Sequence, residues 1–157
     1  MRIIIAGAGE VGFHLAKLLS FEKQDIVLID TDKNKLSQVA NSMDVAVIHG
    51  NATYFSVLEE AQVSKASLVL AVTSSEETNI ATAIISKQLG AEKTVARISN
   101  IEFLLKKEKN ALKQMGIDEL ISPESLAARE IKRLLKETAI TDTFDFDHGL
   151  LSLVGIN

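Results

Sequence analysis

The chain opens on an apolar run, Arg2-Ile3-Ile4-Ile5-Ala6, which passes directly into Gly7-Ala8-Gly9-Glu10-Val11-Gly12 and then into Phe13-His14-Leu15-Ala16-Lys17-Leu18-Leu19. No other stretch restricts the fold so severely. A strand, a turn with glycines at this spacing and a helix together form the opening of a dinucleotide-binding βαβ unit. Each glycine has its own reason: Gly7 makes the tight turn, Gly9 lets the backbone approach a pyrophosphate, and Gly12 lets the helix pack closely on the strand. Free N–H groups at the helix start, with the backbone of Ala8, Glu10 and Val11 around them, are placed to hold a diphosphate.

The alternation continues along the chain. Short apolar runs at residues 2–6, 25–30, 45–48, 67–71, 94–97 and 119–121 read as strands, and amphipathic stretches near 10–21, 33–42, 54–61, 76–89, 101–114 and 124–138 read as helices. This pattern predicts an α/β fold, a Rossmann-type doubly wound parallel six-stranded sheet with helices on both faces. The palette suits it: hydrophobic residues make up 46% of 157 residues while aromatics make up 4%, with no Trp. Such a core is built from Ile, Leu, Val and Ala, as in buried parallel strands. Local punctuation agrees. Ser74 and Glu77 stand at capping-box spacing, Ser122-Pro123-Glu124 supplies a cap, a first-turn proline and an acid, and Gly90 and Gly116 follow helical runs.

The nucleotide-binding domain is expected over residues 1–138. Residues 139–157 change pattern: Thr141 to Asp147 alternates polar and apolar, and Leu150 to Ile156 is apolar. This tail reads as a connection toward a further C-terminal region of a longer protein, or as a strand that pairs with another chain.

The second element of the nucleotide site is an acid at the end of the second strand, about 20 residues beyond the loop. Asp30 stands there, closing Asp25-Ile26-Val27-Leu28-Ile29-Asp30. Its carboxylate can accept both hydroxyls of the adenosine ribose and repels a 2′-phosphate, so NAD(H) or another adenine nucleotide with a free ribose is favoured over NADP(H). Glu10 either complements the positive end of its helix or tunes which nucleotide charge state is tolerated. Asp32 either caps the next helix or adds to the adenosine contacts. Further ligand-facing candidates lie at the carboxyl ends of the later strands: Asn51-Ala52-Thr53, then Thr73-Ser74-Ser75, and Arg97, a cation on an apolar strand that calls for an anion.

Several function classes are disfavoured. The net charge is −4 and the densest cationic run, Lys106-Lys107-Glu108-Lys109, is interrupted by a carboxylate, so nucleic acid is not expected as a partner. There is no Cys, which removes disulfides, thiolate nucleophiles and Cys-based zinc sites. No metal site is expected, and no apolar stretch approaches the ~18 residues needed to span a bilayer. Catalysis lacks a candidate group. His14, His49 and His148 are each lone histidines, Tyr54 is followed four residues later by Leu58 instead of a Lys, and no nucleophile elbow, Walker loop or zinc-protease helix occurs. No catalytic residue is assigned.

Taken in order, Gly7 to Gly12, Ile29-Asp30-Thr31-Asp32, Gly50-Asn51-Ala52-Thr53, Ala71-Val72-Thr73-Ser74 with Asn79, and Val95-Ala96-Arg97-Ile98 resemble the RCK/KTN (TrkA N-terminal) domain family over roughly residues 1–138. The resemblance implies a Rossmann fold that binds NAD or NADH, and often ATP or ADP, without turning them over. It implies homodimers or higher oligomers at the cytoplasmic, inner face of the cell membrane, attached through a potassium transporter or channel subunit that they regulate, with no direct membrane insertion. By position, Gly7, Gly9 and Gly12 would form the phosphate loop and Asp30 the ribose acceptor. Asp32, Asn51, Ala52 and Thr53 would lie around the adenosine, and Thr73 and Arg97 nearer the phosphates or the second nucleoside. Asn51 departs from the Asp that many relatives carry. Ile80, Ile84, Ile85, Leu104 and Leu105 are candidates either for subunit packing or for ordinary core contact. The alternative reading is the cofactor half of an NAD-dependent dehydrogenase.

Overall fold

Three consecutive isoleucines begin the central strand, and the sheet is built outward from them. The computed structural model describes residues 1–146 and 151–156, so His148 and the residues Asp147 and Leu150 that bound the patterned stretches of the tail lie outside it. Strands β1 (Arg2–Ala6), β2 (Asp25–Asp30), β3 (Ala46–His49), β4 (Leu68–Ala71), β5 (Thr94–Arg97) and β6 (Glu119–Ile121) form one parallel sheet in the order β3-β2-β1-β4-β5-β6. This is the expected Rossmann-type topology. The order reverses between β1 and β4, and at such a switch point the two flanking crossovers leave a crevice at the carboxyl edge of the sheet.

Alternate residues of each strand enter opposite faces, and the core divides accordingly. Ile4, Ala6, Val27, Ile29 and Val69 pack on one face with Leu58, Ala61 and Val63. Ile3, Ile5, Ile26, Leu28 and Leu70 pack on the other with Ala16, Leu36 and Val39. The helices that cover the sheet are α1 (Glu10–Phe21), α2 (Lys33–Ser42), α3 (Phe55–Glu60), α4 (Glu76–Gln88) and α5 (Lys106–Gln114). A third cluster joins Ala83 of α4 to Ala96, Ile98, Ile117 and Leu120, with Ile80, Ile84, Leu104 and Leu112 packed against it, while Ile85 packs on the first face. Of the residues weighed for subunit packing, four thus contact the core and Leu105 is exposed.

Three local expectations are corrected. The single helix expected over 101–114 is two elements, a 3-10 turn at Ile101–Leu104 and then α5, separated by Leu105 in an extended conformation (φ −63°, ψ 145°). The cap of α4 is Ser75, one residue later than Ser74: its hydroxyl accepts from the Thr78 N–H at 3.1 Å and donates to Glu77 at 2.9 Å. Strand β3, expected to be covered like the others, is an edge strand with Ala46, Val47 and His49 exposed. Gly90 and Gly116 do take the left-handed conformation, each with φ 104°, that ends a helix at the C′ position.

Contacts divide the chain into two units, Met1–Ser122 and Pro123–Asn157. The second holds helix α6 (Pro123–Ala139), which sequence pattern had joined to the nucleotide domain, and an antiparallel pair of β7 (Ile140–Phe146) with β8 (Leu151–Ile156). The tail at 139–157 therefore contains a second, two-stranded sheet. No described helix is long and apolar enough to cross a membrane.

Candidate functional site

The first turn after β1 is held by backbone and by one carboxylate. Gly7 has φ 110°, its N–H donates to the Ile29 carbonyl at 2.8 Å, and a Cβ there would lie 2.9 Å from both the amide nitrogen and Cα of Thr73. The β1–α1 and β4–α4 loops thus meet backbone to backbone at a position only glycine fits. At Gly12 a Cβ would collide with the Gly7 carbonyl, so α1 is drawn down onto the loop. Gly9 is different: nothing of the protein lies within 4 Å of a Cβ built there. That open side, at the start of α1, has the geometry to receive an anion.

Asp30 ties this loop to the end of β2. One carboxylate oxygen accepts from the Ala8 N–H at 2.6 Å and the other from the Asp32 N–H at 2.8 Å. A carboxylate offers about four lone-pair positions, so both oxygens retain capacity for the vicinal hydroxyls of a ribose. Asp32 is drawn into a different task. Its side chain accepts from Asn34 N–H at 2.8 Å and Lys35 N–H at 3.4 Å, capping α2. The capping role, one of the two the sequence leaves open for Asp32, is present in the structure.

One cleft of about 490 Å³ gathers Gly7, Gly9, Glu10, Val11, Asp30, Asn51, Ala52, Thr73 and Arg97. Ala8 is buried behind the loop, 6% exposed, and Gly12 packs beneath it. Asp32 and Thr53 stand just outside the lining; Thr53 donates both N–H and O–H to Asn51 Oδ1, at 2.9 and 2.8 Å. The cleft also takes in Ser74 and Ser75, which the sequence places at a ligand-facing strand end, and Thr31, Lys35, Gly50 and Thr78, which sequence reasoning does not assign to a ligand. Lys35 was legible in principle, because a residue on the first turn of a helix starting beside Asp30 lies over the same end of the sheet.

The opposite wall is organised by Asn79 of α4, which is 1% exposed. Its Oδ1 accepts from the Thr73 N–H at 2.8 Å and the Thr73 hydroxyl at 2.7 Å, and its Nδ2 donates to the carbonyls of Thr73 at 3.0 Å and Arg97 at 2.9 Å. Glu76, at the start of the same helix, accepts from the Ser99 and Asn100 N–H groups, both at 2.9 Å. Helix α4 therefore fastens the ends of β4 and β5 together. Glu77 is held below the usual carboxylate range by a backbone N–H and by the Ser75 hydroxyl.

The two described histidines are engaged by backbone. His14 Nδ1 meets its own helix at the Glu10 carbonyl, 2.8 Å away, and His49 Nε2 meets the Thr31 carbonyl at 3.0 Å. A carbonyl only accepts, so each of these ring nitrogens carries its proton. Among the described residues no cluster of three His, Asp or Glu is placed to hold a metal ion.

Comparison with known proteins is consistent with this geometry. Residues 3–123 match the model of the TrkA-N domain family. The Trk system potassium uptake protein TrkA homolog of Methanothermobacter thermautotrophicus is 34% identical over 149 residues, which cover 95% of this chain and 67% of that protein. The Trk system potassium uptake protein TrkA homolog of Archaeoglobus fulgidus is 35% identical over 156 residues, covering 98% of this chain and 35% of that protein. The chain thus spans between a third and two thirds of the length of these relatives. Among solved structures, the crystal structure of GsuK bound to ADP superposes with a TM-score of 0.68 at 25% identity, over 87% of this chain and 34% of that one.

Proposed function

The chain belongs to the TrkA-N domain family, and from that membership we propose that it is a regulatory, non-catalytic domain that binds NAD(H), ADP or ATP and controls potassium movement through a membrane transporter or channel. The observation that carries this reading is the pairing of an open Gly9 cradle with the Asp30 carboxylate. Those two features read the diphosphate and the ribose that all these nucleotides share. The relatives named for Trk potassium uptake support potassium transport as the setting, and the ADP-bound GsuK structure supports the ligand class.

In this reading Gly7 to Gly12 hold the diphosphate, with Gly12 shaping the loop from beneath. Asp30 holds the adenosine ribose, Asn51 and Ala52 flank the adenosine, and Arg97 neutralises phosphate charge. Ala8 presents its backbone through Asp30, and Asp32 and Thr53 hold the ends of α2 and of the β3–α3 loop in place. The bound nucleotide supplies no chemistry. It acts by differential affinity for two arrangements of the assembled protein, a homodimer or larger ring on the inner face of the membrane.

Calorimetric titration with NAD, NADH, ADP and ATP tests the core of the proposal. At least one ligand is expected to bind saturably, with affinity reduced tenfold or more by Asp30→Ala and by Arg97→Ala. Those same variants are expected to uncouple potassium uptake from nucleotide level in cells. Absence of binding by all four, or substrate-dependent reduction of NAD by the purified protein, overturns it.

A further inference from the structure

Helices α1 and α2 both run from the cleft edge of the sheet back to its amino edge, and both pack on the same face, through Ala16, Leu36 and Val39. Their carboxyl ends lie side by side there. Glu10 and Val11, which line the cleft, stand at the other end of α1, roughly 18 Å away for a helix of 12 residues. Phe21 is 77% exposed and Leu18 65%, and at three residues apart they share one stripe of the helix with Lys17. Among the described residues no large apolar side chain is more exposed than Phe21. Lys17, Phe21, Lys23, Met43 and Asp44 border a cavity of about 530 Å³ beside this stripe. The turn after α1 is poorly satisfied by its own chain. Lys23 takes the left-handed conformation, φ 54°, and Gln24 Oε1 is buried without a hydrogen-bond partner among the described residues, although Nε2 of the same amide donates to the Glu22 carbonyl at 3.2 Å.

The charges around this patch lack partners as well. The side chains of Lys17, Glu22, Lys23 and Asp44 make no ion pair or hydrogen bond among the described residues. Two ammoniums and two carboxylates thus form a neutral set about an apolar centre. An anionic bilayer would be repelled by the two carboxylates, and a segment of one charge sign would satisfy only half of the set. A second copy related by a twofold axis offers each cation an anion and each anion a cation, and sets Leu18 and Phe21 against the same apolar pair. We propose that the carboxyl ends of α1 and α2 form a twofold interface between copies of this chain, with Lys23 of one copy facing Asp44 of the other. Removing Phe21 and Leu18 from water supplies the attraction, and the charge pairs fix the register. None of these residues lines the nucleotide cleft, so the interface stands independently of the nucleotide reading and leaves the cleft open to its ligand.

The chain has no Cys, so a single introduced thiol reports contact between copies without background. Lys23→Cys and Asp44→Cys proteins carrying different tags are mixed and oxidised with diamide. The mixed cross-link is expected to form at least tenfold faster than the one between Lys23→Cys and Ser56→Cys, whose thiol is exposed on the helix α3 that covers the opposite face of the sheet. Adding Phe21→Ser to both partners is expected to bring the rate down to that control. In sedimentation, Lys23→Glu and Asp44→Lys are each expected to weaken self-association at least fivefold, and the double reversal to recover it to within twofold, because the pair is restored with its signs exchanged. A mixed cross-link no faster than the control overturns the proposal, as does a rate untouched by Phe21→Ser or a double reversal weaker than either single one. If Phe21→Ser loses its cooperative thermal transition, Leu18→Ser takes its place. An absent cross-link together with cosedimentation on phosphatidylserine vesicles, abolished by Phe21→Ser, gives the patch to a bilayer instead. No readout here involves a nucleotide, so failure of the interface and failure of the cleft are told apart.

Discussion

Two glycines in one loop separate folding from binding. Gly7 combines a positive φ with a Cβ position 2.9 Å from the Thr73 backbone, so Gly7→Ala must displace the β4–α4 loop, at a cost of about 2–4 kcal/mol. Gly9 has φ −70° and ψ −172°, an extended conformation open to any residue, and nothing near its Cβ position. Gly9→Ala is expected to change stability by less than about 0.5 kcal/mol yet to weaken nucleotide binding at least tenfold, because the methyl fills the cradle. Urea unfolding and calorimetric titration of the two variants check the pair; a Gly9→Ala protein that binds normally places the diphosphate elsewhere. The spacing of these glycines was legible in the sequence, since it obeys a turn geometry that few other residues satisfy. The use of Asn79 was not. Its place in the motif was visible, but its bonds reach a strand end 18 positions away, and no local rule foretells them.

At the scale of elements, the strands and most helices followed from the alternation of apolar runs, because buried parallel strands leave little freedom in composition. Departures occur where short-range pattern is neutral. Leu105 fits a helical periodicity equally well inside or between two helices, and β3 carries the apolar composition of an inner strand although it lies at an edge. The far end of α4 depends on a long-range ion pair. Lys87 Nζ lies 2.9 Å from Asp118, which also accepts from the Thr94 N–H at 2.8 Å. Partial burial pushes the Asp118 carboxyl upward, but the Lys87 hydrogen bond, the Thr94 N–H and the Lys87 charge outweigh it and hold the carboxyl below its usual range. A depressed value in the folded state means that stability is fully present above about pH 4, where the unfolded carboxyl ionises, and is lost as pH falls through the folded value. Asp118→Asn is expected to cost about 1 kcal/mol at pH 7, discounted for solvent screening. Its difference from the parent protein shrinks below pH 4. Unfolding curves at pH 7 and at pH 3 measure this, and a difference independent of pH would assign the effect to packing.

For the molecule as a whole, every residue lining the cleft lies in the unit Met1–Ser122. A nucleotide at a hundred times its dissociation constant therefore stabilises that unit by about 2.7 kcal/mol, or roughly 10 °C in melting temperature for a domain of this size. Scanning calorimetry with and without ADP reads the shift, and an unmoved transition contradicts the assignment of the cleft. What the sequence concealed at this scale is the division at Pro123, because α6 continues the helical rhythm of the sheet-covering segments without a break in composition. Asp30, finally, fastens the glycine loop through the Ala8 N–H using the protein's own atoms, so the shape of the cradle does not depend on what it holds. In kinetic terms, a loop tied in this way is expected to receive a nucleotide without first rearranging: in stopped-flow mixing the observed association rate should climb linearly with nucleotide concentration, and a rate that levels off would show that the loop must move.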